Sequence, residues 1–175
     1  AAQRPALYFN DTNGLSIGSD FGVTTALTLV VVANVTNAMA NYGRLAGPEA
    51  VWIMYVHKPT DSLRMYGYAL DAAFTGGDSF NTAMGSLQVF STTFNSGYST
   101  TNWMGYKGTN WVGYINYAST LSSQGSTPFT IGGRASDQAR GLKGYIGRVL
   151  VWRRTLSPSE LLSVQQKLIA QWRTQ

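Results

Sequence analysis

The sequence predicts an all-β domain that ends in one helix, and three features carry that expectation. Hydrophobic residues fill 44% of the 175 positions and charged residues only 12%; that balance suits short two-faced strands and not a helical bundle, whose surfaces need Glu and Lys. Nineteen glycines break the apolar runs where turns would fall. A stretch of helical period with a marked start, Ser157-Pro158-Ser159-Glu160, lies near the C-terminal end. A chain of this length buries roughly 70% of its unfolded surface, so one domain spanning residues 1–175 is expected, without a disulfide or metal staple.

In chain order, Ala6-Leu7-Tyr8-Phe9 reads as a short strand, and Asn10-Asp11-Thr12-Asn13-Gly14 as a turn, because Asn-Gly accepts the positive φ that tight turns require. Leu15 and Ile17 then alternate inward. Residues 26–35 are apolar on both faces, as in a central strand covered on both sides. Residues 37–48 read as a loop, and residues 50–56 and 63–70 as strands. Residues 71–85, rich in Gly, Ser, Thr and Asn, read as a long loop of the kind that carries binding groups. Residues 87–94 form a further strand.

An internal repeat follows: Asn102-Trp103-Met104-Gly105-Tyr106, then Asn110-Trp111-Val112-Gly113-Tyr114 eight residues later. The three residues between suit a hairpin turn. If Tyr106 and Asn110 pair across it, Trp103 covers Gly113 and Trp111 covers Gly105; a bulge would shift that register by one and remove the pairing. Finally, Ser157 is the expected N-cap, Pro158 the first helical residue and Glu160 the partner in a capping box. Leu161, Val164, Leu168, Ile169 and Trp172 form one apolar stripe over a helix at about 158–172, which must dock on the outer face or an end of the β structure.

The order Phe129-Thr130-Ile131-Gly132-Gly133, then Gly144-Tyr145-Ile146-Gly147-Arg148-Val149-Leu150-Val151-Trp152, then Arg154-Thr155-Leu156-Ser157-Pro158-Ser159-Glu160 resembles the closing segment of concanavalin A-like jelly-roll domains, in particular the laminin-G-like branch. Tyr114-Ile115-Asn116 is similar to a Y-V-N that precedes a glycine in that branch, with Tyr117 here in the glycine's place. The resemblance implies a two-sheet antiparallel β-sandwich of about a dozen strands with a short C-terminal helix. It further implies a module that recognises glycans or proteins and does not catalyse.

The residues themselves argue against catalysis. The glucanases of that superfamily carry a pattern resembling E-x-D-x-x-E, but this chain has two glutamates, Glu49 and Glu160, and neither has a carboxylate at the required spacing. His57 is the sole histidine and no G-x-S-x-G elbow occurs. Gly76-Gly77 and Gly132-Gly133 lack the lysine and helix of a phosphate loop. No cofactor is expected; calcium is the one metal to weigh, with Asp71 and Asp78 in the long loop, and Asp11 with Asn13, as oxygen ligands.

Sugar binding needs an aromatic ring for the apolar face of a pyranose, with amides or carboxylates beside it. Trp103, Tyr106, Trp111, Tyr114 and Asn116 are the ligand-binding candidates, with Asn102, Asn110 and Tyr117 nearby. Charge supplies another candidate surface. Residues 134–175 hold eight Lys or Arg against Asp137 and Glu160, so Arg140, Lys143, Arg153 and Arg154 read as a basic face for an acidic partner.

No nucleic-acid motif accompanies these charges. The longest apolar run falls well short of the ~20 residues of a membrane helix. The absence of cysteine excludes disulfides and thiolate metal sites. The opening Ala1-Ala2 fits a mature form after loss of an initiator Met, a processed precursor or an excised domain. Two functions are therefore expected: a lectin-like adhesion module on a virion or cell surface, or a structural protein that decorates a phage capsid or other large assembly through its basic C-terminal third.

Overall fold

A computed structural model of the chain describes residues 5–10, 13–18, 25–35, 42–48, 52–57, 62–67, 70–73, 87–98, 102–116, 128–133 and 141–173. These form strands β1 (Leu7–Asn10), β2 (Leu15–Ile17), β3 (Ala26–Val35), β4 (Tyr42–Pro48), β5 (Trp52–His57), β6 (Ser62–Gly67), β7 (Leu70–Ala73), β8 (Gln88–Asn95), β9 (Trp103–Lys107), β10 (Asn110–Ile115), β11 (Phe129–Ile131) and β12 (Lys143–Trp152), followed by helix α1 (Pro158–Arg173). The strands make two antiparallel six-stranded sheets: sheet A in the order β1-β12-β3-β8-β9-β10, and sheet B in the order β2-β11-β4-β5-β6-β7. This is the two-sheet sandwich with a C-terminal helix that the sequence predicts.

Alternation along β3 explains why that strand is apolar throughout. Leu27, Leu29, Val31, Ala33 and Val35 face the space between the sheets, where they meet Leu45, Trp52, Met54, Val56, Phe90, Phe94, Trp103 and Phe129. Val30 and Val32 face the other way, joining Val89 and Leu156 beneath Leu161, Leu168 and Trp172 of α1. The helical stripe thus docks on the outer face of sheet A. Each large side chain buried there contributes about 2 kcal/mol relative to exposure.

Side-chain bonds stitch the entry to the helix onto the sheet. Thr28 Oγ1 donates to the Arg154 carbonyl at 3.0 Å and accepts from Leu156 N at 2.9 Å, while Thr155 Oγ1 donates to the Phe94 carbonyl at 2.7 Å. The capping box forms as expected: Ser157 N donates to Glu160 Oε2 at 2.8 Å and Glu160 N to Ser157 Oγ at 3.3 Å. Deeper in, Gln165 Nε2 donates to Ser91 Oγ at 2.7 Å, which satisfies a buried amide that the apolar stripe alone does not explain.

Several local expectations need correction. Residues 42–48 are strand β4 and not loop; Gly43, Gly47 and Pro48 obscure its pattern, and a register shift between Arg44 and Ala46 breaks its alternation. Asp71 lies in β7 instead of a loop. Leu15 and Ile17 are exposed, because among the described residues β2 is the margin of sheet B, bonded to β11 alone, and a rim strand lacks the cover that inward alternation presumes.

Candidate functional site

The repeated motif forms the hairpin β9–β10 at one margin of sheet A. Gly108 and Thr109 make its turn, with Gly108 at φ +60, a conformation that costs glycine little and other residues more. Lys107 pairs with Asn110 and Trp111 with Tyr106, after which an extra residue at Val112 shifts the register, so that Gly113 meets Gly105, Tyr114 meets Met104 and Ile115 meets Trp103. The turn therefore has two residues, and neither tryptophan covers a glycine.

That register separates the two tryptophans. Trp103 points between the sheets, 0% exposed, with its ring centroid 4.7 Å from that of Phe94 and 6.2 Å from that of Trp52. It is a core residue, and the expectation that it forms part of a sugar platform is withdrawn. Trp111 is 54% exposed, and its ring lies within 13° of parallel to Tyr114, with centroids 6.4 Å apart. Side chains of a strand alternate between faces, and the extra residue at Val112 is what puts positions 111 and 114 on the same side.

Tyr106 stands opposite Trp111 and packs among the residues beneath α1. Burial pushes its phenol pKa up, and its hydroxyl lies 3.8 Å from Met104 Sδ. It supports the platform without offering much surface. Asn110 and Asn116 are exposed at the two ends of β10, where their amides supply donors and acceptors. Asn102 is buried instead: its Nδ2 bonds the carbonyls of Tyr98 and Asn95, bracing the β8–β9 connection. Tyr117 lies outside the described residues.

The basic candidates do not form one face. Lys143 begins β12 and Arg153 follows its last residue, so roughly 30 Å of strand separates them. Arg154 is held by Glu160 in a bidentate pair at 2.8 and 2.9 Å. The Arg154 hydrogen bond, followed by those from Ser157, lowers the Glu160 pKa from its ordinary value of 4.5 to about 2, while the same pairing raises that of Arg154. Arg140 lies outside the described residues.

A carboxylate whose folded pKa is depressed adds stability above its unfolded pKa and loses it as pH falls through the folded value. The thermal midpoint of the wild type is accordingly expected to fall toward that of Glu160→Gln as pH drops from about 4.5 to about 2. A gap between the two that stays constant over this window would show that the pair contributes nothing to stability.

An open concavity of about 420 Å³ lies where α1 meets β12, lined by Trp152, Arg154, Leu156, Ser159, Glu160, Ser163 and Val164. Its Arg154, Glu160 and Ser159 are bonded to one another or to Ser157, and Trp152, Leu156 and Val164 pack the helix. It is the seam of the helix–sheet junction. Among the described residues no three His, Asp or Glu side chains gather as a metal site. The Asp71 side chain, Asp78 and Asp11 lie outside the described residues. Among the described residues no helix is long and apolar enough to cross a membrane.

The architecture matches solved structures across nearly the whole chain. The CBM40 of the Ruminococcus gnavus IT-sialidase, bound to alpha2,3 sialyllactose, superposes with a TM-score of 0.70 at 14% identity, covering 91% of this chain and 96% of that one. A candidate carbohydrate binding protein from Bacteroides ovatus gives 0.70 at 16%, covering 90% of this chain and 45% of that one. The heptameric SAP-like pentraxin from Limulus polyphemus gives 0.67 at 12%, covering 90% and 80%. The fold is a lectin-like jelly roll. At these identities the likeness concerns architecture, and no protein-family model and no curated protein matches the sequence.

Proposed function

We propose that the protein is a non-catalytic glycan-binding module of the laminin-G-like, concanavalin A-like kind, displayed on a cell or virion surface, with Trp111 and Tyr114 as its stacking platform. The observation that carries this reading is the pair of parallel rings on a sheet margin, one of them more than half exposed. A large exposed aromatic on a rigid strand is costly to leave in water and suits the apolar face of a pyranose. Asn116, exposed two residues beyond Tyr114, falls on the same face by alternation and can meet its hydroxyls. Two of the matched structures are described as carbohydrate-binding, which supports the same choice of ligand class.

A glycan array probed with the purified chain, with and without calcium at physiological salt, tests the reading. Trp111→Ala is expected to weaken binding to the best glycan by about tenfold or more, since one aromatic stack is worth about 1.5 kcal/mol. Its stability should stay within about 0.5 kcal/mol of wild type, as for most surface changes. A folded sample that binds no glycan, or a hit indifferent to Trp111→Ala, would sink the proposal.

A further inference from the structure

We infer that the opposite margin of sheet A, β1 with β12, is a separate contact for acidic saccharides, in which Tyr8 and Tyr145 are the apolar floor and Arg148 binds the anionic group. The pairing brings these residues together. Tyr8 stands opposite Tyr145 and Asn10 opposite Lys143, on the face away from Phe9 and Ile146, which are buried between the sheets. A register shift between Ile146 and Arg148 then sets Arg148 opposite Val32, a residue of the outer layer beneath α1. Without that shift, positions 145 and 148 would face opposite sides.

The result is an outer row of Lys143, Tyr145 and Arg148 beside Tyr8. Tyr8 is 50% and Tyr145 43% exposed, their ring centroids 5.0 Å apart at 51°, and Arg148 is exposed. No Asp or Glu occurs anywhere in β1, β3 or β12, so none of these strands supplies a carboxylate to Arg148. Glu160, at the other end of β12, is taken by Arg154.

The chemistry follows from the side chains. Tilted phenol rings accept the C–H face of a sugar, and a planar guanidinium takes a carboxylate or sulfate through two parallel hydrogen bonds. Helix α1 docks on the outer face of sheet A over β3 and β8, between the row and the margin that carries Trp111 and Tyr114. The inference therefore stands apart from that platform.

The test is calorimetric titration of the full chain at 150 mM salt with a sulfated galactan hexasaccharide and with the same oligosaccharide after desulfation. The sulfated form is expected to bind about tenfold tighter, the scale of one charge-assisted bidentate contact. Arg148→Gln and Tyr145→Ala should each erase most of that preference, with melting unchanged for Arg148→Gln. Arg153→Gln, the same charge change beyond the far end of β12, should alter affinity less than twofold.

Equal affinity for the two oligosaccharides overturns the inference, as does an equal loss in Arg153→Gln, which would mark diffuse charge. An octaglutamate peptide that binds as tightly with the same Arg148 dependence would also overturn it, in favour of an acidic protein ligand. Retained binding of the neutral form through Trp111, with no preference for sulfate, would remove this contact and leave the platform standing. No binding of either form, together with a blank array, would remove both.

Discussion

Trp103→Ala is expected to destabilise the fold by about 3–5 kcal/mol, the range for deleting a buried aromatic, and to lower the melting midpoint by about 10 °C or more. The ring fills the gap between the sheets, touching Phe94 from its own sheet and Trp52 from the other, so its loss leaves a cavity that neither sheet closes without moving the other. Among the described residues the indole Nε1 has no hydrogen-bond partner, and an unmet buried donor costs about 1–3 kcal/mol. Trp103→Phe should therefore lose much less than Trp103→Ala. Denaturant unfolding of both, beside Trp111→Ala, makes the comparison decisive. Equal stabilities for Trp103→Ala and Trp111→Ala would mean that the register across β9 and β10 is wrong.

Gly144→Ala is the second substitution with a large expected cost, about 3 kcal/mol. Gly144 has φ +152 and lies in β12 between Phe9 of β1 and Val35 of β3. A Cβ there would overlap the carbonyl oxygen of Asn34, a backbone atom of the neighbouring strand. Relief requires prying the start of β12 from the end of β3, and forced backbone shifts of that kind cost about 1–3 kcal/mol, with the unfavourable φ added. Gly18→Ala is the matched control, since an added Cβ there meets nothing within 4 Å. Hydrogen exchange across β12 would report the damage directly. A Gly144→Ala protein that melts with the wild type would refute the close approach.

How much could be read from the residues depended on whether the signal was local. The start of α1 was fully legible, because Ser157, Pro158 and Glu160 act on backbone groups within one turn. So was β3, whose ten residues with no charged member are hard to place anywhere but between two covering layers. Strand β4 was hidden by its glycines and by a register shift. The division of labour between Trp103 and Trp111 was hidden for a deeper reason: both sit in the same five-residue motif, and only the pairing of one copy with the other decides which ring goes inside. The cations posed the same problem. Lys143 and Arg154 are near in sequence composition but far apart along an extended strand, and Arg154 finds Glu160 only because the chain turns into a helix between them.

The extra residue at Val112 has a consequence beyond the direction of two rings. Among the described residues β10 ends sheet A, and an outermost strand is a place where another chain can pair through backbone N–H and C=O groups. A protein that exhibits bare aromatic rings on such a strand invites fibrous self-association. An inserted residue spoils the even spacing that an incoming strand would have to match and coils the ribbon away from flatness. The irregularity that sets Trp111 and Tyr114 side by side thus also makes this margin a poor template for a second copy of the protein.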